Sequence, residues 1–360
     1  MKSKKVLLLG EYSSFHNNLS KGLIKRGLDV FLISSGDTWK NYYRDIDIGS
    51  TLPNKYFRNL SKIFKEILAL RKMIGYDVVQ IVNPSVLSTY GLFMIIYKIL
   101  VRFNKKVCLT AIGDDYFYWS AYRRGEYRKS PHKGTLDDLN CNNSFWEVDN
   151  KLIKANKYLL KKAYKIIPGS VTYKIGYKVY DNCVKNINFP IDLSKVEYKN
   201  NPIQNKVVFL HGAQKGRYGF KGTNYIDQAL NNMVRKFPDL LEYHKAENLP
   251  YEDYLNILEK ANVIIDQTNS YEPAMNALTS MAMGKVVMGG AEPEYLEALG
   301  IKKSPIINIT SSVSDIEKKV CFILENKSKI QEWSIDSRKF VEKFYDSDII
   351  ADKFISVWFN

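Results

Sequence analysis

The stretch Asp266-Gln-Thr-Asn-Ser-Tyr-Glu-Pro-Ala-Met-Asn-Ala-Leu-Thr-Ser-Met-Ala-Met-Gly-Lys-Val-Val-Met-Gly-Gly-Ala-Glu-Pro-Glu294 carries the strongest pattern in the chain. The apolar run Val263-Ile264-Ile265 before it is typical of a buried parallel strand. Pro273 favours a helix start and Gly284 a helix end, so the residues from Ala274 to Met283 are predicted to be helical. A second strand and a second loop follow. The stretch therefore predicts an α/β fold, in which ligands bind at the loops after strands.

The start of this helix would point unpaired backbone N–H groups at a ligand above the sheet, which suits a phosphate or diphosphate. We therefore expect this stretch to bind the diphosphate and the sugar of a nucleotide sugar. The alternative is a strand and a helix that only build the fold, as in any α/β protein.

The composition is that of a globular protein with two domains of ordinary size. The chain has 360 residues, of which 45% are hydrophobic and 25% charged, and these values exclude a disordered protein. Its four cysteines are far apart without C-x-x-C spacing, which favours reduced thiols in a cytosolic protein over disulfides or a zinc site. Only Val6 to Leu9 precede Gly10, too few apolar residues for a signal-peptide core, so we interpret them as a first strand.

The positive charge lies entirely in the N-terminal part. Residues 1–200 carry 34 Lys and Arg against 17 Asp and Glu, a net charge of +17, whereas residues 201–360 carry 19 against 21, a net charge of −2. Such a region favours an anionic partner: nucleic acid, a phospholipid surface or a phosphorylated substrate. A lysine-rich genome is the alternative, although composition bias alone should not stop at a domain boundary.

The N-terminal part opens with a strand, a loop from Gly10, a helix from Leu19 to Arg26 and a second strand. The G-x-G-x-x-G spacing is missing, so a dinucleotide site is not predicted. Within the loop, His16 is either a catalytic base or sugar contact, or a solvated histidine.

Further along, the apolar run from Leu87 to Val101 is too short to span a bilayer comfortably. It predicts a helix buried against the sheet or one dipping into a membrane face.

Two adjacent carboxylates, Asp114 and Asp115, follow another predicted strand and precede four aromatic residues. Aromatic rings stack on the apolar faces of sugars while carboxylates bond their hydroxyls. We therefore predict Asp115 as a base or acceptor contact, and Asp114, Tyr116 and Trp119 as acceptor-binding residues. The alternative is a helix-capping aspartate beside packed aromatics. The polar, poorly periodic segment from Ala121 to Asn150 is predicted to be a substrate-binding loop.

The C-terminal part restarts the pattern after a polar linker from Lys195 to Asn205. A strand leads into the loop from His211 to Gly222, where Lys215, Arg217 and Lys221 stand among four glycines before a predicted helix. Such a loop can hold a diphosphate without a metal. It lacks the Walker A spacing, and the alternative is an ordinary solvated loop.

Together these residues resemble the GT-B glycosyltransferases, specifically the retaining family-4-like group of bacterial surface-polysaccharide clusters. The resemblance is strongest in Gly212–Gly222, in Asp266–Glu294 and in the opening unit Lys5–Asp37. It implies two Rossmann-like domains facing a central cleft, without a metal or cofactor. The acceptor domain would be residues 1–195 with a C-terminal helix of about 342–360 crossing back to it. The donor domain would be residues 205–341.

The resemblance also implies roles for single residues. The donor diphosphate would be bound by Lys221 with Arg217 or Lys215, and by backbone amides of the helix after Pro273. The predicted donor-binding set is Gly10, Lys215, Arg217, Lys221, Glu247, Asn248, Leu249, Ala274, Met275, Asn276 and Thr279. The predicted catalytic set is Asp115 and His16, which the residue pattern suggested independently of the resemblance, together with Glu272.

The sequence departs from this family at three positions. The family's glutamate pair, spaced E-x7-E, falls on Tyr271 and Thr279. Glu272 is displaced by one residue and would need a shifted loop to substitute, while Thr279 can hydrogen-bond a ribose hydroxyl without carrying charge. Ile112 stands where the family has a histidine after a strand of the first domain.

We therefore predict a cytosolic glycosyltransferase that moves a sugar from a nucleotide-sugar donor to a glycan or lipid-linked acceptor. It would serve surface-polysaccharide biosynthesis at the inner membrane face, with its basic N-terminal domain on anionic lipid. The first alternative, suggested by Tyr271 and Thr279, is a catalytically inactive sugar-nucleotide-binding subunit. The second is a nucleic-acid-binding α/β protein, suggested by basicity and 25 tyrosines, but no recognition motif supports it.

Overall fold

In a computed structural model the chain forms two α/β units, described here for residues 3–37, 40–87, 92–249 and 251–360. The first unit comprises Met1–Glu126, Asn143–Asp192 and Tyr345–Asn360, and the second comprises Tyr127–Asn142 and Leu193–Phe344. The segment Tyr127–Asn142, which we call the inserted segment, therefore interrupts the first unit in sequence but belongs to the second in space.

The described residues of the first unit include six strands. They are β1 (Lys5–Leu9), β2 (Asp29–Ser34), β3 (Ile46–Asp47), β4 (Val78–Ile81), β5 (Lys106–Ala111) and β6 (Ile166–Pro168). Its helices are α1 (Phe15–Lys25), α2 (Lys55–Ala69), α3 (Phe93–Phe103), α4 (Tyr116–Arg123), α6 (Phe145–Val148), α7 (Asn150–Lys162), α8 (Val171–Tyr177) and α16 (Ser347–Phe359), while α5 (His132–Leu139) lies in the inserted segment.

In the second unit, the part of the chain that the structure describes contains five strands. They are β7 (Val207–Ala213), β8 (Leu241–Glu247), β9 (Val263–Ile265), β10 (Val286–Gly289) and β11 (Ile307–Asn308). Its remaining helices are α9 (Tyr218–Lys221), α10 (Thr223–Lys236), α11 (Tyr251–Lys260), α12 (Met275–Ala282), α13 (Pro293–Leu299), α14 (Val313–Glu325) and α15 (Ile330–Tyr345).

Both sheets are parallel, and their strand orders decide where ligands can bind. The first sheet has the order β3-β2-β1-β4-β5-β6, which is that of a Rossmann sheet, and it reverses between β1 and β4. The second has the order β11-β10-β9-β7-β8, a flavodoxin-like arrangement that reverses between β7 and β9. The predicted α/β fold with two Rossmann-like units is confirmed.

The C-terminal helix is part of the first unit's core, as the sequence predicted. The Trp358 indole Nε1 donates to Gln80 Oε1 at 2.8 Å inside the sheet, and Gln80 Nε2 donates to Thr110 Oγ1 at 2.8 Å. At the other end of α16, a methyl group built on Gly22 would lie 2.3 Å from the backbone oxygen of Ser347. Helices α1 and α16 therefore touch backbone to backbone, and only glycine fits that contact.

Two expectations for local structure were wrong. Helix α1 begins at Phe15 and not at Leu19, because Ser13 and Ser14 turn with positive φ and the Glu11 carboxylate accepts the Asn17 N–H at 2.8 Å. The expected loop from Ala121 to Asn150 contains two short helices, α5 and α6. The second is held by a capping box between Ser144 and Glu147, and helices this short show little periodicity.

Helix α3 packs one face on the sheet, with Phe93, Ile96, Tyr97 and Leu100 buried. The expected apolar run also includes residues 88–91, which lie outside the described residues. Among the helices that the structure describes, none combines the length and the apolar character needed to cross a membrane.

Candidate functional site

The second sheet reverses between β7 and β9, and residues from strand β7 and from helices α9, α11 and α12 meet there. Strand β7 leads to Gly212, whose carbonyl oxygen accepts a hydrogen bond from Lys221 Nζ at 2.7 Å. A methyl group built on Gly212 would lie 3.6 Å from the Tyr254 ring and 3.7 Å from Asn276 Nδ2. The Tyr254 hydroxyl in turn donates to Asn276 Oδ1 at 2.8 Å. Gly212, Lys221, Tyr254 and Asn276 thus form one cluster at the switch point.

A buried carboxylate lies behind this cluster. Asp266 follows β9, is 2% exposed, and accepts the Ala274 N–H at 2.9 Å. Burial raises the pKa of Asp266 and lowers the pKa of Lys221, while the attraction between the two opposes both shifts. Asp266 therefore holds the start of α12 and also provides the negative charge that favours an ionised Lys221.

The start of α12 offers donors for an anion. Its N-cap residue Ala274 has an extended backbone and provides no side-chain cap, so the first-turn amides of Met275, Asn276 and Ala277 are not capped. Such amides, next to a lysine, suit a phosphate group. Thr279 lies one turn further along the same helix and is partly exposed.

The other two predicted cations make different contacts, although the charge of Arg217 adds to burial in lowering the pKa of Lys221. The Arg217 guanidinium stacks over the Phe220 ring at 3.9 Å from its centroid, and the Lys215 side chain is exposed. The Lys215 backbone N–H donates to Asn248 Oδ1 at 3.4 Å, so the loops after β7 and β8 are in contact. Glu247 hydrogen-bonds the Tyr218 hydroxyl and raises its pKa, while Leu249 is exposed.

Tyr271 stands where the GT-B resemblance would place a glutamate, and its buried side chain holds the fold together. Its hydroxyl accepts the backbone N–H groups of Arg128 at 2.8 Å and Lys129 at 3.1 Å. The neighbouring Glu272 is also buried, and the loop that carries it is closed by a hydrogen bond from Ser270 Oγ to Glu272 O at 2.9 Å. The Glu272 side chain is therefore part of a compact turn, and its catalytic role stays a prediction.

The inserted segment lies across these loops, and its residues were not assigned a site role from the sequence. Lys129 Nζ and Arg128 Nη2 donate to the buried Glu292 carboxylate at 2.8 and 2.7 Å. At its other end, Asp138 accepts the backbone N–H groups of Gly219 at 2.8 Å and Phe220 at 2.9 Å. The partners of Asp138 are about 80 residues away, so no local pattern could reveal them.

In the first unit the predicted residues are enclosed by their own loops. His16 is fully buried and pairs through Nδ1 with the Gly10 carbonyl oxygen at 2.7 Å; burial lowers its pKa to about 4. Its Nε2 is buried and meets no hydrogen-bond partner among the described residues. Beside it, burial raises the pKa of Glu11 to about 7. His16 is therefore neutral at pH 7, as a general base must be, and its role stays a prediction.

The predicted acceptor residues divide into enclosed and accessible ones. Asp115 is fully buried, where it caps α4 by accepting the Phe117 and Tyr118 N–H groups and receives the Tyr177 hydroxyl at 2.6 Å. Burial raises its pKa to about 6. Trp119 is also buried, whereas Asp114 and Tyr116 are partly exposed. Asp115 caps a helix, as the alternative interpretation of the sequence expected. A chemical role for Asp115 stays a prediction.

No group of three or more potential metal ligands occurs among the residues that the structure describes. Lys221 and the α12 amides could hold a diphosphate. The opening strand–loop–helix unit lacks the G-x-G-x-x-G motif that is typical of nicotinamide and flavin binding.

Comparisons with known proteins agree on the fold. The chain matches no family model and no curated protein sequence. Among solved structures it is similar to Anabaena HepE in complex with UDP and glucose, with 11% identity, 98% of each chain covered and a TM-score of 0.61. Sucrose-phosphate synthase from Thermosynechococcus elongatus has 14% identity, with 99% and 98% covered and a TM-score of 0.61.

The fold alone does not fix the reaction. The UDP-GlcNAc 2-epimerase from Neisseria meningitidis, bound to UDP-GlcNAc, is also similar, with 12% identity, 98% and 99% coverage and a TM-score of 0.55. The function of this chain must therefore be argued from its site.

Proposed function

We propose that this protein is a glycosyltransferase that takes a sugar from a nucleotide-sugar donor bound by the second unit. The observation that carries the proposal is the convergence of Lys221, Asn276 and the uncapped amides of α12 where the second sheet reverses. A diphosphate needs positive charge and N–H donors, and both are found at this point. The bound UDP and UDP-glucose in HepE, a protein of the same fold, add support.

In this mechanism, negative charge develops on the diphosphate as the sugar leaves. Lys221 and the amides of Met275 and Asn276 stabilise that charge without a metal ion, because they are fixed before the reaction begins. The acceptor is a glycan or lipid-linked sugar of a surface polysaccharide, bound by the first unit. Retention of the anomeric configuration is proposed from the family resemblance.

Nucleotide binding tests the proposal first. Titration calorimetry with UDP, GDP and ADP should find one that binds, and Lys221→Ala should weaken it about 10–100-fold because a charge-assisted contact is lost. Lys206→Ala is the matched control, since Lys206 Nζ also donates to a backbone carbonyl, that of Pro238, at 2.7 Å. Equal losses in both variants, or no binding by the wild type, would contradict the assignment.

A catalytically inactive binding subunit is the second candidate. Its support is Tyr271, which replaces a carboxylate with a buried ring whose hydroxyl is engaged in the fold. Incubation of the wild type with the donor sugar that binds, with and without membrane lipid extracts, separates the candidates. Transfer or slow hydrolysis supports the enzyme, binding without turnover supports the subunit, and isomerisation of the sugar nucleotide indicates an epimerase.

We also propose that the first unit docks on an anionic membrane through α2. One face of this helix exposes large apolar side chains that the rest of the unit does not cover: Tyr56, Phe57, Leu60, Phe64, Ile67 and Leu68. Lys55, Arg58 and Lys62 lie on the same helix, whose only acidic residue, Glu66, is buried. Exposed aromatic and aliphatic residues beside cations are typical of helices that lie in a lipid interface. The polarity of this face therefore complements a bilayer, and the net positive charge of the helix as a whole complements anionic lipid.

Vesicle co-sedimentation tests the docking face. The variant Phe64→Ser/Leu68→Ser removes two side chains that are each 62% exposed, and it should weaken binding to anionic vesicles at least about 10-fold. Ile24→Ser, which removes an apolar side chain of similar exposure on α1, is the control and should leave binding unchanged. Equal, salt-insensitive binding to neutral and anionic vesicles would contradict the proposal.

A further inference from the structure

The short helix α9 places Lys221 at the candidate diphosphate site, and its position is set from both sides. On the sheet side, the Thr268 N–H donates to Lys221 O at 2.9 Å, and Asn269 Nδ2 donates to Gly219 O at 2.9 Å. Four residues cannot hold a helical turn without such external contacts. The location of Lys221 Nζ therefore depends on what binds the α9 backbone.

On the other side, α9 is held by the inserted segment. The two oxygens of Asp138 accept the N–H groups of Gly219 and Phe220, one each, at 2.8 and 2.9 Å. The N-cap residue of α9, Arg217, makes no side-chain cap. Asp138 thus supplies, from helix α5, the acceptor that a capping residue would normally provide from within the loop.

The backbones of the two helices are in direct contact beside this carboxylate. A methyl group built on Gly134 would lie 2.1 Å from the Gly219 oxygen, and one built on Gly219 would lie 2.6 Å from the Gly134 oxygen. Only a pair of glycines permits this approach, and it brings α5 close enough for the short Asp138 side chain to reach two amides.

The far end of the inserted segment is anchored independently. Arg128 and Lys129 bind Glu292, and the Tyr271 hydroxyl accepts both of their backbone N–H groups. Because this end is fixed to the loops after β9 and β10, Asp138 has a rigid support from which to hold α9.

We propose that Asp138 is a positioning residue that places Lys221 for donor binding. The proposal rests on the proposed function of the second unit. Asp138 does not touch the donor; it fixes the amides of Gly219 and Phe220, and through them the direction in which Lys221 leaves α9. The inserted segment is thereby an integral part of the donor-binding unit, although it is connected at both ends to the first unit.

The test is a double-mutant cycle on nucleotide affinity. Asp138→Asn replaces one acceptor oxygen with an amide that faces an N–H group, and it should weaken binding of UDP, or of whichever nucleoside diphosphate binds, about 5–20-fold. In the Lys221→Ala background the same change should have almost no effect, because the residue on which Asp138 acts is already gone. Asp138→Glu keeps the charge and both oxygens and should restore most of the affinity.

Asp137→Asn is the matched control, since Asp137 is the neighbouring carboxylate on α5 and is exposed. It should leave affinity and amide exchange unchanged, whereas Asp138→Asn should speed hydrogen exchange in residues 217–222. Equal losses with and without Lys221 would overturn the positioning role and indicate general destabilisation. A wild type that binds no nucleoside diphosphate would overturn the proposed function and this role together, so the two failures are distinct.

Discussion

The carboxyl edges of the two sheets are held in opposite ways. In the first unit His16 pairs with the nearby Gly10, while Asp115 caps its own helix and also receives the Tyr177 hydroxyl. In the second unit the edge loops are held by the inserted segment, whose hydrogen bonds to those loops join residues between 81 and 180 positions apart. The first edge therefore contains buried titratable groups, whereas the second depends on a segment that is remote in sequence.

Weakening the anchor of the inserted segment should give the largest effect on stability. Lys129→Met removes the less exposed of the two cations on Glu292 and should lower the free energy of unfolding of the second unit by about 2–4 kcal/mol, because only the more exposed Arg128 is left to pair with this buried carboxylate. Urea denaturation measures it. Lys133→Met, an exposed lysine of the same segment, should change stability by less than about 0.5 kcal/mol. Equal effects would show that the anchor at Glu292 does not matter.

The first edge should respond to pH. The pKa of Glu11 is raised from 4.5 to about 7, so the folded state binds its proton more tightly than the unfolded state does. This contribution is fully present below pH 4.5 and is lost as pH rises through 7.

Glu11→Gln cannot ionise, so it should be more stable than the wild type by roughly 3 kcal/mol at pH 8 and by less than about 1 kcal/mol at pH 5. Chemical denaturation at the two pH values measures this difference. His16 titrates in both proteins and cancels in the comparison. A stability difference that does not vary with pH would contradict a raised pKa at Glu11.

The smallest effects on stability are expected from two tyrosine-to-phenylalanine substitutions, one in each unit. Tyr271→Phe leaves two backbone N–H groups of the inserted segment without their acceptor, and Tyr177→Phe removes one hydroxyl from Asp115. Each should cost about 1–2 kcal/mol. Hydrogen exchange should rise across residues 127–142 in the first variant and only in α4 and α8 in the second. If hydrogen exchange rose only next to the substituted residue in both variants, the proposed difference between the two sheet edges would be wrong.

The same difference between local and distant contacts decides how much of the structure could be predicted from the sequence. Buried runs such as Val263–Ile265, with the loops that follow them, indicated the sheets and located Lys221 and Asn276, because parallel strands bring successive loops to one edge. The docking of Asp138 on Gly219 could not be predicted, since it depends on how two distant segments pack. Asp115 illustrates the middle case, because its sequence neighbourhood fitted a capping role and a chemical role equally well.

The C-terminal helix has a consequence for synthesis on the ribosome. Trp358 and Phe354 fill the core of the first unit beside Val6 and Leu8, so that core stays open on one face until α16 has emerged. About 150 residues of the second unit are made between Asp192 and Ser347, which takes roughly 8–30 s at about 5–20 residues per second. During that interval the nascent first unit exposes an apolar groove. We expect this groove to be the chaperone-binding surface of the growing chain, and a ribosome-stalled chain ending before α16 to bind chaperone where the full chain does not.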